Sequence, residues 1–297
     1  MELITNNLNV VWFILLCVLF AGFFLLEGFD YGTGILLPFI GKTDVERRQM
    51  INALGPVWDG NEVWMITAGG AMFASFPHVY ATLFSGFYMA LFLMLAALII
   101  RGVSFENRSK SPNLLWRKGF DYCIFFGSLI PALLWGVTVG NLIQGTPIDE
   151  SMTYVGTFFD LLSPYTLLCG VAFVLVFTYH GGLFTSIKTS GPISERARAA
   201  SLVVGVPTAV GALALVGATY AYTDLFDSTL GIVAFAAAIV FILVSWGAAR
   251  TRNTKMGFLF SSLTVIMVTV AYFAGLFPRI MVSSLNPAWD LTITNAS

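Results

Sequence analysis

Charge is what this sequence has least of. Lys, Arg, Asp and Glu make up 10% of its 297 residues, against about 25% in soluble domains. Hydrophobic residues make up 57%, and the mean hydropathy is +0.83. A water-soluble globule is excluded and an integral membrane protein is expected. The net charge of −1 leaves no surplus of either sign, which argues against nucleic acid or any other polyanion as a partner. Cysteine is scarce too: Cys17, Cys123 and Cys169 each lie in an apolar run, without CxxC or a Cys/His cluster, so they read as small core residues and indicate no metal or redox site. There are two histidines, His78 and His180. A haem needs an axial His, Met or Cys, and two isolated histidines are weak support; His180 reads better as a polar helix contact. The first apolar stretch follows Glu2 and Thr5-Asn6-Asn7 with no basic residue, so it reads as a retained helix and not a signal peptide. No nucleotide loop, zinc signature or nucleophile elbow is visible.

What is present is long apolar runs. A spanning helix needs about 20 mostly apolar residues. Eight stretches qualify, at approximately 9–36, 56–76, 79–100, 119–140, 162–183, 201–221, 229–248 and 257–277. The fold expected is all-α and polytopic, with eight transmembrane helices as two four-helix bundles, residues 1–140 and 141–297. A faint echo supports the division: Leu-Leu-Cys17 precedes Glu27-Gly28, and Leu-Leu-Cys169 precedes His180-Gly181. Basic residues mark cytoplasmic loops. They fall after the first span (Lys42, Arg47, Arg48), the third (Arg101, Arg108, Lys110, Arg117, Lys118), the fifth (Lys188, Arg196, Arg198) and the seventh (Arg250, Arg252, Lys255). Only Arg279 lies elsewhere, so the N-terminus is expected outside.

Against this background two carboxylate pairs stand out: Glu27 and Asp30 in L-L-E-G-F-D-Y-G, and Asp59 and Glu62 in P-V-W-D-G-N-E-V-W. A carboxylate in hydrocarbon costs several kcal/mol unless it is hydrated, paired or protonated, which makes it a functional candidate. The i, i+3 spacing puts each pair on one helix face, and no Lys or Arg lies in either stretch. Acids so placed carry protons or cations. The competing reading of Asp59 and Glu62 is helix capping. Pro56 favours a helix starting there, which would put Asp59 a turn inside it. For Glu27 and Asp30 the alternative is a hydrogen-bonded carboxylate holding helices together. Asp121, behind Arg117 and Lys118, is expected to pair with that basic loop, and Pro131 should kink its helix.

E-G-F-D-Y-G-T-G-I-L-L-P-F-I-G-K, the block W-D-G-N-E-V-W-M-I-T-A-G-G-A-M-F-A-S-F-P, G-N-L-I-Q-G near residue 140 and F-S-S-L-T at the eighth span closely resemble subunit II of the cytochrome bd-type quinol oxidases. The resemblance implies a heterodimeric terminal oxidase of the bacterial plasma membrane. In such a complex the b-type and d-type haems and the quinol site belong to subunit I, O2 is reduced to water, and proton motive force arises without pumping. Subunit II would carry no haem, would stabilise the haem-bearing partner and would contribute to proton delivery from the cytoplasmic side. The family's proton-path carboxylates fall on Asp30 and Asp59, and Glu27 stands where relatives also have an acid. Trp58 matches a position associated in some relatives with a structural quinone, so a quinone or lipid contact is implied there. The family also has a ninth helix after D-L-T-I-T-N-A-S, whereas this sequence ends at Ser297; a truncated C-terminus or a small accessory transmembrane subunit over that face is expected. From the residues alone, a proton or cation antiporter and a purely structural anchor subunit remain open.

Overall fold

The computed structural model describes residues 7–297 and is built almost wholly of helices. In chain order these are α1 (Leu8–Ile40), α2 (Asp44–Leu54), α3 (Trp58–Ser75), α4 (Pro77–Gly86), α5 (Tyr88–Asn107), α6 (Leu114–Gln144), α7 (Pro164–Lys188), α8 (Pro192–Tyr222), α9 (Thr229–Arg250) and α10 (Thr254–Leu276). After α10 the chain forms a small antiparallel pair, β1 (Arg279–Met281) with β2 (Leu291–Thr292). The helices hydrogen-bond their backbones internally, the condition for crossing hydrocarbon.

Among the described residues, seven helical segments are long and apolar enough to cross a membrane. The expected span at 56–76 falls short of that measure: α3 has 18 residues and its first turns carry Asp59, Asn61 and Glu62. The expected span at 79–100 is two helices, divided at Phe87, and the second runs on to Asn107. That extension corrects the placing of Arg101 in a loop. Arg101 lies inside α5 and is fully buried. The buried positions of α5 explain why. Ala90, Met94, Ala97, Arg101 and Ser104 recur at intervals of four and three, so the apolar face continues through the arginine.

Helix α1 is the central element and packs against α3, α6, α7 and α10. Its crossing with α7 depends on missing side chains. A Cβ on Gly32 would lie 1.8 Å from the Phe177 carbonyl oxygen, and one on Gly181 would lie 2.4 Å from the Thr33 nitrogen. Backbone-to-backbone approach of this kind is how helices associate where burial in lipid offers no gain. Thr33 Oγ1 donates to the Gly181 carbonyl at 3.2 Å across the contact.

The basic end of the bundle is closed by α2, a stretch that reads as loop in sequence. The capping box that starts α2 is Thr43 with Glu46. The turn after Leu54 takes up Pro56, so α3 begins only at Trp58, and Asp59 sits in its exposed first turn instead of a turn inside. The Asp59–Glu62 capping box does not form: Val57 is the N-cap and makes no side-chain cap bond. Asp121 is paired as expected with the basic loop, through Arg108 at 2.5 Å, but its second partner is Arg47 at 2.7 Å, while Arg117 binds Asp44 at 2.6 Å. Pro131 is accommodated within the single continuous helix α6.

Candidate functional site

Three helices bring one arginine to the intramembrane acids. From α5, Arg101 Nη1 donates to Glu27 Oε2 of α1 at 2.9 Å and to Glu62 Oε1 of α3 at 3.2 Å. Its Nη2 lies 4.0 Å from Asp30 Oδ2. Asp30 is held separately, accepting from Asn61 Nδ2 at 2.8 Å. Gly127 of α6 makes the approach feasible, since a Cβ there would lie 2.7 Å from Arg101 Cβ. The guanidinium carbon lies 4.9 Å from the Tyr31 ring centre and 5.5 Å from that of Phe105, so aromatic faces flank the cation.

Burial is graded across the group. Asp59 is exposed. The Glu62 side chain retains 22% of its exposure, whereas those of Glu27, Asp30 and Arg101 have none. Thus the four sequence-expected acids gather where the second half of α1 meets the first turns of α3, three of them share Arg101, and Asp59 stands one helical turn outside. Satisfaction is incomplete. Glu27 Oε1, Asp30 Oδ1, Tyr31 Oη, Arg101 Nε and Arg101 Nη2 are buried without a hydrogen-bond partner.

Sequence reasoning missed Arg101, Asn61 and Tyr31. Arg101 follows Ile100 at the end of an apolar run, where hydropathy alone ends the span; the face shared with Ala97 and Met94 is the signal that could have found it.

Trp58, the expected quinone or lipid contact, packs on Phe105 with ring centres 5.2 Å apart. It does not line a cavity of about 760 Å³ bordered by Phe20, Ile66, Phe84, Leu95, Trp135 and Tyr272. The two histidines differ in surroundings. His78 lies in the first turn of α4, exposed. His180 is buried with both ring nitrogens engaged, Nδ1 with Ser261 Oγ at 2.7 Å and Nε2 with the Leu25 carbonyl at 3.2 Å. The three cysteines are unpaired by disulfide.

Outside the spans, electrostatics serve structure. Burial would raise the Asp44 carboxyl, but the guanidinium groups of Arg108 and Arg117 outweigh it and hold Asp44 below the usual carboxylate range. Glu46 is held low first by the Thr43 backbone N–H, and it also pairs with Arg196 of α8.

Residues 8–297 match the family described as Cytochrome bd terminal oxidase subunit II. A "Cytochrome bd ubiquinol oxidase subunit 2" from Bacillus subtilis is 43% identical over 98% of this chain and 87% of its own length. A "Cytochrome bd-I ubiquinol oxidase subunit 2" from Escherichia coli K12 is 38% identical over 98% of this chain and 86% of its own. The chain belongs to the subunit II family of cytochrome bd oxidases. Among solved structures, "The structure of bd oxidase from Geobacillus thermodenitrificans" superposes with a TM-score of 0.79, covering 97% of this chain and 88% of that one. At 17% identity, that likeness speaks for the fold alone. The chain is therefore a multi-pass membrane subunit of a cytochrome bd quinol oxidase.

Proposed function

We propose that this chain is the non-haem subunit of a bd-type quinol:O2 oxidoreductase in the bacterial plasma membrane. In this reading it stabilises a haem-bearing subunit I and supplies a cytoplasmic-side proton path for the reduction of O2 to water. The observation that carries the proton path is the graded burial of the acids: Asp59 in water, Glu62 half-buried one turn on, and Glu27 and Asp30 fully buried behind it. That order is what a proton needs to leave bulk water and reach a low-dielectric interior. The basic residues at the same end favour a cytoplasmic face there and an outside N-terminus. The haems are assigned to the partner. The close crossing of α1 with α7, the first helices of residues 1–140 and 141–297, supports two related four-helix units. Trp58, at the same end as the acids, is the candidate contact for a structural quinone or lipid. A small accessory transmembrane subunit would cover a lipid-facing side of the bundle.

The test is Asp59→Asn in the assembled complex, which removes the titratable group and nearly keeps its shape. O2 reduction should slow ten-fold or more, with haem spectrum and subunit stoichiometry normal. Asn also serves well near a helix N-terminus, so turnover within two-fold of the parent would leave Asp59 a structural residue and defeat its uptake role.

A further inference from the structure

The Arg101 cluster holds one permanent positive charge and three carboxyl groups, and these counts do not balance. A guanidinium stays protonated in proteins, so it can neutralise only one carboxylate at a time. No other Lys or Arg is paired with Glu27, Asp30 or Glu62 among the described residues. The geometry shows how the cation is divided. A single nitrogen, Nη1, serves both Glu27 Oε2 and Glu62 Oε1, while Nε and Nη2 find no hydrogen-bond partner. Arg101 is therefore not locked by a full set of bonds. It stands between a fully buried acid and a half-buried one, guided by the rings of Tyr31 and Phe105.

We propose that Arg101 is a positioning residue that exchanges its charge between Glu62 and Glu27 as a proton passes the other way. When Glu62 carries the proton, the guanidinium pairs with the Glu27 carboxylate. The O–H bond on Glu62 then breaks and one forms on Glu27. Its negative charge thereby appears on Glu62, and the guanidinium pairs there instead. Charge and protons balance and the site keeps the same net charge, because the guanidinium follows whichever of Glu62 and Glu27 is ionised; an ionised Asp30 is left to the Asn61 amide. Asp30, bonded to Asn61 and 4.0 Å from Arg101, is the next acceptor. Tyr31, among the described residues the only other titratable group facing the cation, places its hydroxyl there without a hydrogen-bond partner among them. Asp59 faces water outside the exchange.

This inference rests on the proton-path reading, and its test separates the two. In the assembled oxidase, with haem content and subunit ratio checked, turnover is measured from pH 5.5 to 8.5 for Arg101→Met, Arg101→Lys, Glu27→Gln and the double variant Glu27→Gln/Arg101→Met. Arg101→Met should lose ten-fold or more and move the pH profile by a unit or more. Arg101→Lys, which keeps the charge as a more compact donor, should recover at least a third of parental turnover. The double variant, which removes one acid along with the cation, should exceed Arg101→Met. If Glu27→Gln alone leaves turnover unchanged, the path itself falls. If Glu27→Gln slows turnover while Arg101→Met keeps the parental rate and pH profile, the path stands and the role of Arg101 falls. Should Arg101→Met fail to assemble, Glu62→Gln decides: a five-fold loss or more supports the exchange, and a rate within two-fold of the parent overturns it.

Discussion

Two buried polar groups lie within a few turns of each other on the crossing helices α1 and α7, and they are built to opposite rules. Around His180 every polar atom of the side chain is matched. The Leu25 carbonyl can only accept, so Nε2 carries a proton there, and Nδ1 lies 2.7 Å from Ser261 Oγ. Phe258 stacks on the imidazole, 4.7 Å away and tilted by 6°. Both ring nitrogens are engaged and the ring is stacked, which is how a polar contact serves helix packing. Around Arg101 the reverse holds: charge in excess of its compensation, one donor shared between two acids, and five buried atoms without partners.

The comparison breaks first at His180. His180→Ala removes two buried hydrogen bonds and a stacked ring and leaves a cavity, for which about 3 kcal/mol of stability is expected. Thermal denaturation of the complex should shift accordingly. Haem content per assembled complex and quinol-driven O2 uptake should stay within two-fold of the parent. Specific loss of the d-type haem signal from an assembled variant would contradict the engaged-nitrogen geometry and return His180 to the list of ligands.

Asp30→Asn should show the opposite pattern. Its Oδ2 accepts from Asn61, and an amide oxygen can take the same bond, so shape and stability change little. The proton-carrying function is lost. A ten-fold fall in turnover, about 1.4 kcal/mol of barrier, is expected with an unshifted melting temperature. A variant that melts early but turns over normally would make Asp30 a structural acid like the residues around His180.

These contrasts also show what was legible in the chain. The spans came from apolar runs that scarcely depend on tertiary context, and the four acids were visible because nothing explains a carboxylate in hydrocarbon except function or pairing. The partner was not visible. Hydropathy ends at Ile100 and basic residues follow, so Arg101 reads as loop, although the helix runs seven residues further and turns the arginine inward. The capping box T-D-V-E at residues 43–46 was equally present in the sequence. It announced α2, and with α2 in place the Gly55-Pro56 turn no longer serves as the start of α3. What sequence could not supply was the α1–α7 crossing: Gly28, Gly32 and Gly181 permit close approach, but which helix each meets depends on the assembled bundle.

The smallest effect belongs to the ion network that closes the basic end, a third kind of polar group: charged like the Arg101 cluster, yet paired. Asp44 accepts from Arg108 at 2.9 Å and from Arg117 at 2.6 Å, with 31% of its side chain exposed. Its carboxyl is held below the usual range in the folded protein. The pairing therefore adds stability above the unfolded value of about 3.9, and that contribution is lost as pH falls through the depressed folded value. Water and salt screen a site this open, so Asp44→Asn should cost about 0.5 kcal/mol at neutral pH. The difference from the parent should shrink at 1 M salt and vanish in strong acid. Turnover should not change, because Asp44 lies outside the graded series of acids and gives up no proton at working pH. A loss of turnover without a loss of stability would extend the proton path to this end of the bundle, and the line between paired and unpaired charge would have to be redrawn.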